Sequence, residues 1–255
     1  MAKPTARKRE WEDEYTLLCE KCGYVIERLD TSGPCPECGK PIKESFPQLR
    51  TGTPWQRKPW VKTLIQTWWM TLRYPKKTLD CLRFDVNNSG GQAFDSIIFS
   101  ATLSLAFSAL LCLIVTHNLS FTFEFFLSSI VPALILVLIL CMLTYIEASG
   151  LRIYGKTKKL RITKSSAMAI VNHSCVGWLF LGLSIGFGMM TKAAAFNIEQ
   201  TSYDFALADK YRLVGNIVMI IGALAGFLYF EFFAYLGLRR CKYANRIRPQ
   251  EQSNG

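Results

Sequence analysis

The chain has 255 residues, 30 Lys+Arg against 19 Asp+Glu, a net charge of +11 and nine cysteines, and half of it is hydrophobic. Its charged content of 19% looks ordinary, yet residues 96–123, 125–146, 165–191 and 213–238 together contain one charged side chain, Glu231. A hydrocarbon core about 30 Å thick is crossed by roughly 20 helical residues, so each stretch is long enough to span it and a purely soluble globular protein is excluded.

In chain order, residues 1–14 mix Lys3, Arg7, Lys8 and Arg9 with Glu10, Glu12, Asp13 and Glu14, a solvated charged tail. Then come Cys19-Glu-Lys-Cys22-Gly23-Tyr24 and, after twelve residues, Cys35-Pro-Glu-Cys38-Gly39. Two C-x-x-C pairs at this separation can place four thiolates around one tetrahedral ion, and the glycine after each pair supplies the positive φ of a tight turn. Tyr24–Leu29 reads as a short strand and Thr31–Pro34 as its turn. Disulfides are disfavoured, because the charge pattern puts the segment in the reducing cytosol.

Cys-Gly-Tyr and Cys-Pro-x-Cys-Gly resemble the rubredoxin-type knuckles of a zinc ribbon over about residues 15–46. The expected ion is a structural Zn2+ on Cys19, Cys22, Cys35 and Cys38; the short spacer leaves little apolar material around iron, which is the less favoured metal. Four thiolate ligands leave no open position for water or substrate, so the site is not catalytic and the ribbon presents a surface to a cytoplasmic protein partner. A module of about 30 residues cannot bury a sufficient core, so the ion is its folding energy.

Residues 47–59, rich in Pro, Gly and basic residues, read as a linker. Beyond Pro59, Trp60, Val61, Leu64, Ile65, Trp68, Trp69 and Leu72 fall on one helical face opposite Lys62, Gln66, Thr67 and Arg73, until Pro75 ends the pattern. Three tryptophans on one face suit the headgroup boundary, so 60–86 is expected to lie in the interface, anchored by Trp60, Trp68 and Trp69. Leu79, Leu82 and Val86 continue the surface helix until Gly90-Gly91.

Residues 96–238 form the membrane domain, with spans near 97–117, 125–147, 167–190 and 213–238. The fold class is an all-α polytopic membrane protein, with four transmembrane helices, an interfacial amphipathic helix and a small N-terminal β zinc ribbon. The first apolar run begins near Ser96, too late for a signal peptide. Basic residues crowd segments 76–95 and 148–164 and the basic tail 239–255, which makes both termini cytoplasmic. Anionic lipid accounts for the positive charge; no nucleic-acid motif is present and no nucleic acid is expected as partner.

Gly182-x-x-x-Gly186 and Gly222-x-x-x-Gly226 allow spans three and four to pack closely. His173 and Glu231 each fall roughly 10 Å inside the basic side at about 1.5 Å per residue, and form a candidate intramembrane polar pair near Asn172, Ser174 and Glu147. Such a pair is either a proton- or substrate-handling site or helix–helix glue. Cys81, Cys112, Cys141, Cys175 and Cys241 lack ligand spacing, and the three that lie in spans act as small apolar packers. No His-Glu-x-x-His or Gly-x-Gly-x-x-Gly is present and there are two histidines, His117 and His173, so the chain is not read as an enzyme.

An amphipathic segment ending in Arg73-Tyr74-Pro75, a short helix and consecutive spans resemble the Yip1-type membrane domain over about residues 60–238, with four spans where that family usually has five. The resemblance implies a non-enzymatic integral protein of the bacterial inner membrane that shapes, organises or recruits. Its partners would be the bilayer, a cytoplasmic protein and, in a homo-oligomer, a second copy. The alternatives are a small transporter or channel subunit using Glu231 and His173, and a membrane-anchored rubredoxin-like electron carrier.

Overall fold

In lipid, a backbone can satisfy its own N–H and C=O groups only as a helix or a closed barrel, and the uncharged stretches fold accordingly. The structure is a computed structural model that describes residues 15–84, 91–116 and 119–247. The charged tail at 1–14, Val86, Gly90, His117 and positions 248–255 of the basic tail lie outside these residues. Two 3-10 turns, Ile42–Ser45 and Pro47–Leu49, precede helices α1 (Pro54–Arg57), α2 (Val61–Arg73), α3 (Pro75–Cys81), α4 (Gly91–Thr116), α5 (Leu119–Thr157), α6 (Lys164–Ser174), α7 (Gly177–Ser202) and α8 (Phe205–Arg240).

Three segments, Leu127–Thr157, Lys164–Ser202 and Phe205–Arg240, are long and apolar enough to cross a membrane, as an integral membrane protein requires. The span expected at 97–117 falls mostly on α4, which packs against α5 and α7, but its last residue lies outside the described ones. The third expected span is divided: α6 and α7 meet at Cys175 and Val176, where the ladder tightens to Trp178 N–H on Cys175 O (3.0 Å).

As expected from their glycines, α7 and α8 pack closely, with Gly222 and Gly226 on the α8 side but Gly177 and Ser184 rather than Gly182 facing them. A Cβ on Gly226 would lie 2.6 Å from the Gly177 carbonyl oxygen, and one on Gly188 would lie 3.1 Å from that of Gly215. Gly182 instead faces Ser100 of α4. Bulkier side chains would hold the backbones apart, and lipid supplies no hydrophobic drive to compensate. Trp178 stacks on Phe230 at 4.5 Å between ring centroids, and both join Phe233, Ile170, Ile97, Leu79 and Leu82 in the main core.

That core corrects two expectations. Leu79 and Leu82 are fully buried rather than spread along a surface helix, and 47–59 is ordered structure rather than a loose linker. Thr53-Pro54-Trp55-Gln56 forms a capping box: Thr53 Oγ1 accepts from Gln56 N–H while Thr53 N–H donates to Gln56 Oε1. Trp55, buried beside Leu64, Trp68 and Val176, then pins the turn to α2 and α7's N-terminal end.

Gly226→Leu is expected to lower stability by about 1–3 kcal/mol through forced separation of α7 and α8. Gly150→Ala on α5, where a Cβ meets nothing within 4 Å, should instead raise it by about 0.5–1 kcal/mol. Unfolding of the detergent-solubilised protein by sodium dodecyl sulfate titration measures both.

Candidate metal centre and buried polar groups

Each C-x-x-C pair folds into the same knuckle. Gly23 N–H bonds Cys19 O at 2.8 Å and Gly39 N–H bonds Cys35 O at 2.9 Å, with the glycines at φ +78° and +70°. Cys19 N–H then reaches Tyr24 O, and Cys35 N–H reaches Lys40 O, both at 2.8 Å. The expected β ribbon is corrected here. Among the described residues there is no strand, only single antiparallel bridges Leu18–Val25 and Pro34–Pro41. With Arg28 at φ +67° turning the chain, the spacer is too short to extend a ladder.

The four sulfurs lie within 4.8 Å of one another, with Cys19–Cys38 at 3.5 Å and Cys22–Cys35 at 3.7 Å. A tetrahedral ion with metal–sulfur bonds of about 2.3 Å needs sulfur–sulfur separations of about 3.8 Å, so these four thiols fit one ion. Burial opposes ionisation of Cys19, but the N–H groups of Cys22 and Lys21 at its sulfur and the neighbouring thiols outweigh it and lower its pKa to about 7. Burial pushes Cys22 up to about 12. A bound cation would displace the remaining protons and hold the thiolates. Cys19, Cys35, Ile26 and Ile42 are the buried core cluster of the module, a small core to which a bound ion would add folding energy.

Sequence spacing did not reveal how the module is mounted. Asn245 Oδ1 accepts Leu18 N–H at 2.9 Å, and its Nδ2 donates to Leu18 O (2.7 Å) and Ser45 O (2.6 Å). Glu20, between the first two ligands, takes both oxygens to Arg50 (2.8 and 3.1 Å), whose other nitrogen donates to the carbonyls of Leu79, Asp80 and Leu82 at the end of α3. The Arg161 guanidinium donates to Thr16 O and Ala244 O. Tyr243 lies so close under Gly23 that a Cβ there would sit 2.8 Å from its ring.

The candidate polar pair is not brought together. His173, buried on α6, donates Nδ1–H to Ala169 O (2.7 Å), and its Nε2 accepts from the Thr53 hydroxyl (3.2 Å). Among the described residues no hydrogen bond joins it to Glu231, which is half-buried on α8 and lies within electrostatic reach of Glu147 on α5. Asn172 is buried with both side-chain amide atoms unbonded among the described residues. Of the three tryptophan anchors, Trp60 and Trp69 are 63% and 67% exposed. Trp68 turns inward, donating Nε1–H to Ser96 Oγ at 3.1 Å and packing on Phe99, because α2 has apolar residues on two faces and one covers the core. Cys175 lies in the main core as expected, with Cys141 packed against it, while burial pushes the Cys241 thiol up to about 12; Cys112's side chain lies outside the described ones.

Cys35→Ser should abolish stoichiometric metal retention, read by elemental analysis of the purified chain, and expose residues 15–59 to limited proteolysis. Asn245→Ala should retain the metal but destabilise the module by about 3 kcal/mol, at about 1 kcal/mol for each of three lost hydrogen bonds, read as loss of the metal at lower denaturant concentration. No family model, curated protein or solved structure matches the chain, so its function must be argued from these groups and their placement.

Proposed function

We propose that the protein is a non-enzymatic, membrane-organising scaffold or adaptor with four membrane crossings, both termini cytoplasmic and a structural Zn2+ on Cys19, Cys22, Cys35 and Cys38. The single observation that carries this reading is the double-faced helix α2. Leu64, Thr67, Trp68 and Thr71 cover the domain, while Val61, Ile65 and Trp69 stand open on the other side and Trp60 is exposed at the N-cap. An exposed face of two tryptophans and two aliphatic residues matches the headgroup boundary, where the indole ring is favoured. Tyr229 O–H donates to Thr71 O at 2.8 Å and ties this helix to α8.

Four crossings are supported by where the ends meet. Arg161, just after α5, bonds residues of both the four-cysteine module and the segment after α8. A chain that has its start, middle and finish at one end needs two out-and-back pairs, α4 with α5 and α6–α7 with α8. The positive loops put that end in the cytoplasm. Zinc is favoured over iron because the module offers few apolar neighbours to shield an iron site, and Tyr24 and Val25, exposed on the first knuckle, are the surface offered to a protein partner. The transporter reading loses its pair, because His173 spends both nitrogens on Ala169 and Thr53.

In bilayers containing lipids brominated at shallow or deep acyl positions, the fluorescence difference between wild type and the Trp60→Phe/Trp69→Phe variant should be quenched best by the shallow bromines. Quenching of that difference by aqueous iodide and not by either lipid would sink the interfacial reading. Purified full-length protein should carry one zinc and no visible redox-active absorption; a red, reducible iron centre would favour the electron carrier.

A further inference from the structure

Where α8 ends, the four-cysteine module and the segment after α8 enclose an open cleft of about 670 Å³. Its walls hold six cations and three carboxylates. Two cations are neutralised internally: Arg50 by Glu20 at 2.8 Å, and Arg240 by both oxygens of Asp80 at 2.6 Å. That leaves Lys21, Lys40, Arg239 and Lys242 facing one remaining carboxylate, Glu44.

The contacts of these four do not discharge them. Lys21 and Lys40 donate to the backbone carbonyls of Cys38 and Glu44 at 3.4 Å, and Lys40 stands 3.9 Å from the Glu20 carboxylate already held by Arg50. Arg239 and Lys242 lie over the rings of Tyr235 and Tyr243 at 5.8 and 5.4 Å. Like charges on a solvated surface can spread apart. Here two come from the metal knuckles and two from the far end of the chain, held facing one another by the docking of the module. A concave site with a positive surplus concentrates anions, and donors on several side chains suit a group with several acceptor oxygens.

We propose that this cleft binds a phosphate group. Its level in the molecule indicates where the group comes from: Leu228, Phe232 and Tyr235 are exposed along α8, and Arg239 follows one turn after Tyr235 at the end of the apolar span. A phosphate at that height is the headgroup of an anionic lipid, and a free phosphate offers the same chemistry. The site rests on the cleft's charges and not on the scaffold reading.

The test uses the full chain in neutral detergent with its metal retained, titrated calorimetrically with dihexanoyl phosphatidic acid and, in a parallel arm, inorganic phosphate. Arg239→Gln/Lys242→Gln is compared with Lys156→Gln/Lys158→Gln, which removes equal charge from the exposed last turn of α5 and the residue just after it. At about 1 kcal/mol per cation near an anionic surface, the cleft variant should bind about 10- to 30-fold more weakly, while the loop variant binds as wild type. Binding of the lipid alone assigns a headgroup; equal binding of inorganic phosphate assigns a soluble anion. If the cleft variant loses its metal, Lys21→Gln on the opposite wall takes its place and should weaken binding about fivefold. Failure of wild type to bind either probe, or equal loss in cleft and loop variants, overturns the proposal.

Discussion

The side-chain amide of Asn245 makes the end of the described chain part of its beginning. Three hydrogen bonds to the backbone of Leu18 and Ser45 satisfy groups that a metal cannot reach, since an ion holds only the sulfurs. The consequence is topological. A module fixed at once to residue 245, to Arg161 and, through Glu20 and Arg50, to the end of α3 requires the helices between these points to run out and back in pairs, α4 with α5 and α6–α7 with α8. It also places a bound metal next to the helices: Glu20, between two of the four cysteines, holds the arginine that caps the carbonyls of α3.

Within the bundle a different economy holds. Lipid is as apolar as leucine, so α7 and α8 gain from contact only if their backbones come close enough for dispersion and short polar contacts. Glycines at the crossings permit that approach, and hydroxyls use it: Ser100 Oγ donates to Trp178 O at 2.7 Å, and Trp178 Nε1–H donates to Thr144 Oγ1 at 3.2 Å. One tryptophan thereby joins α4, α5 and α7 while its ring stacks on Phe230 of α8.

What could be read from the sequence was local or compositional. The Cys spacing fixes the ligands because a knuckle closes within six residues, and charge-free length marks the helices because the bilayer imposes it. The pairing of α7 with α8 was readable, but the α7 side of its seam was not, since Gly182 and Gly226 look alike in sequence and face different helices. Trp68 and Trp69 show the same limit: adjacent indoles on α2 lie about 100° apart around the helix, and only the position of Ser96 and Phe99 decides which one goes inward. Arg50 and Asn245 gave no signal, as their partners lie up to 227 residues away. The capping box at Thr53 was present in the letters T-P-W-Q and is the one ordered element of the linker that propensity alone would have found.

That box also explains the buried histidine. Thr53 accepts from Gln56 N–H and donates its hydroxyl to His173, while Gln56 reaches onward to bond both the N–H and the carbonyl of Arg83. Gly52 N–H closes the same circuit on Cys81 O at 2.8 Å. Each polar group on this route answers another, from α6 through the turn at α1 to the end of α3. A histidine that must fill one acceptor and one donor role in a fixed direction suits that joint better than a serine or an asparagine, because the Ala169 carbonyl sets its tautomer and so leaves Nε2 to receive Thr53. The polarity of His173 is therefore explained by attachment: this buried imidazole is where the segment before α2 is fastened to the bundle.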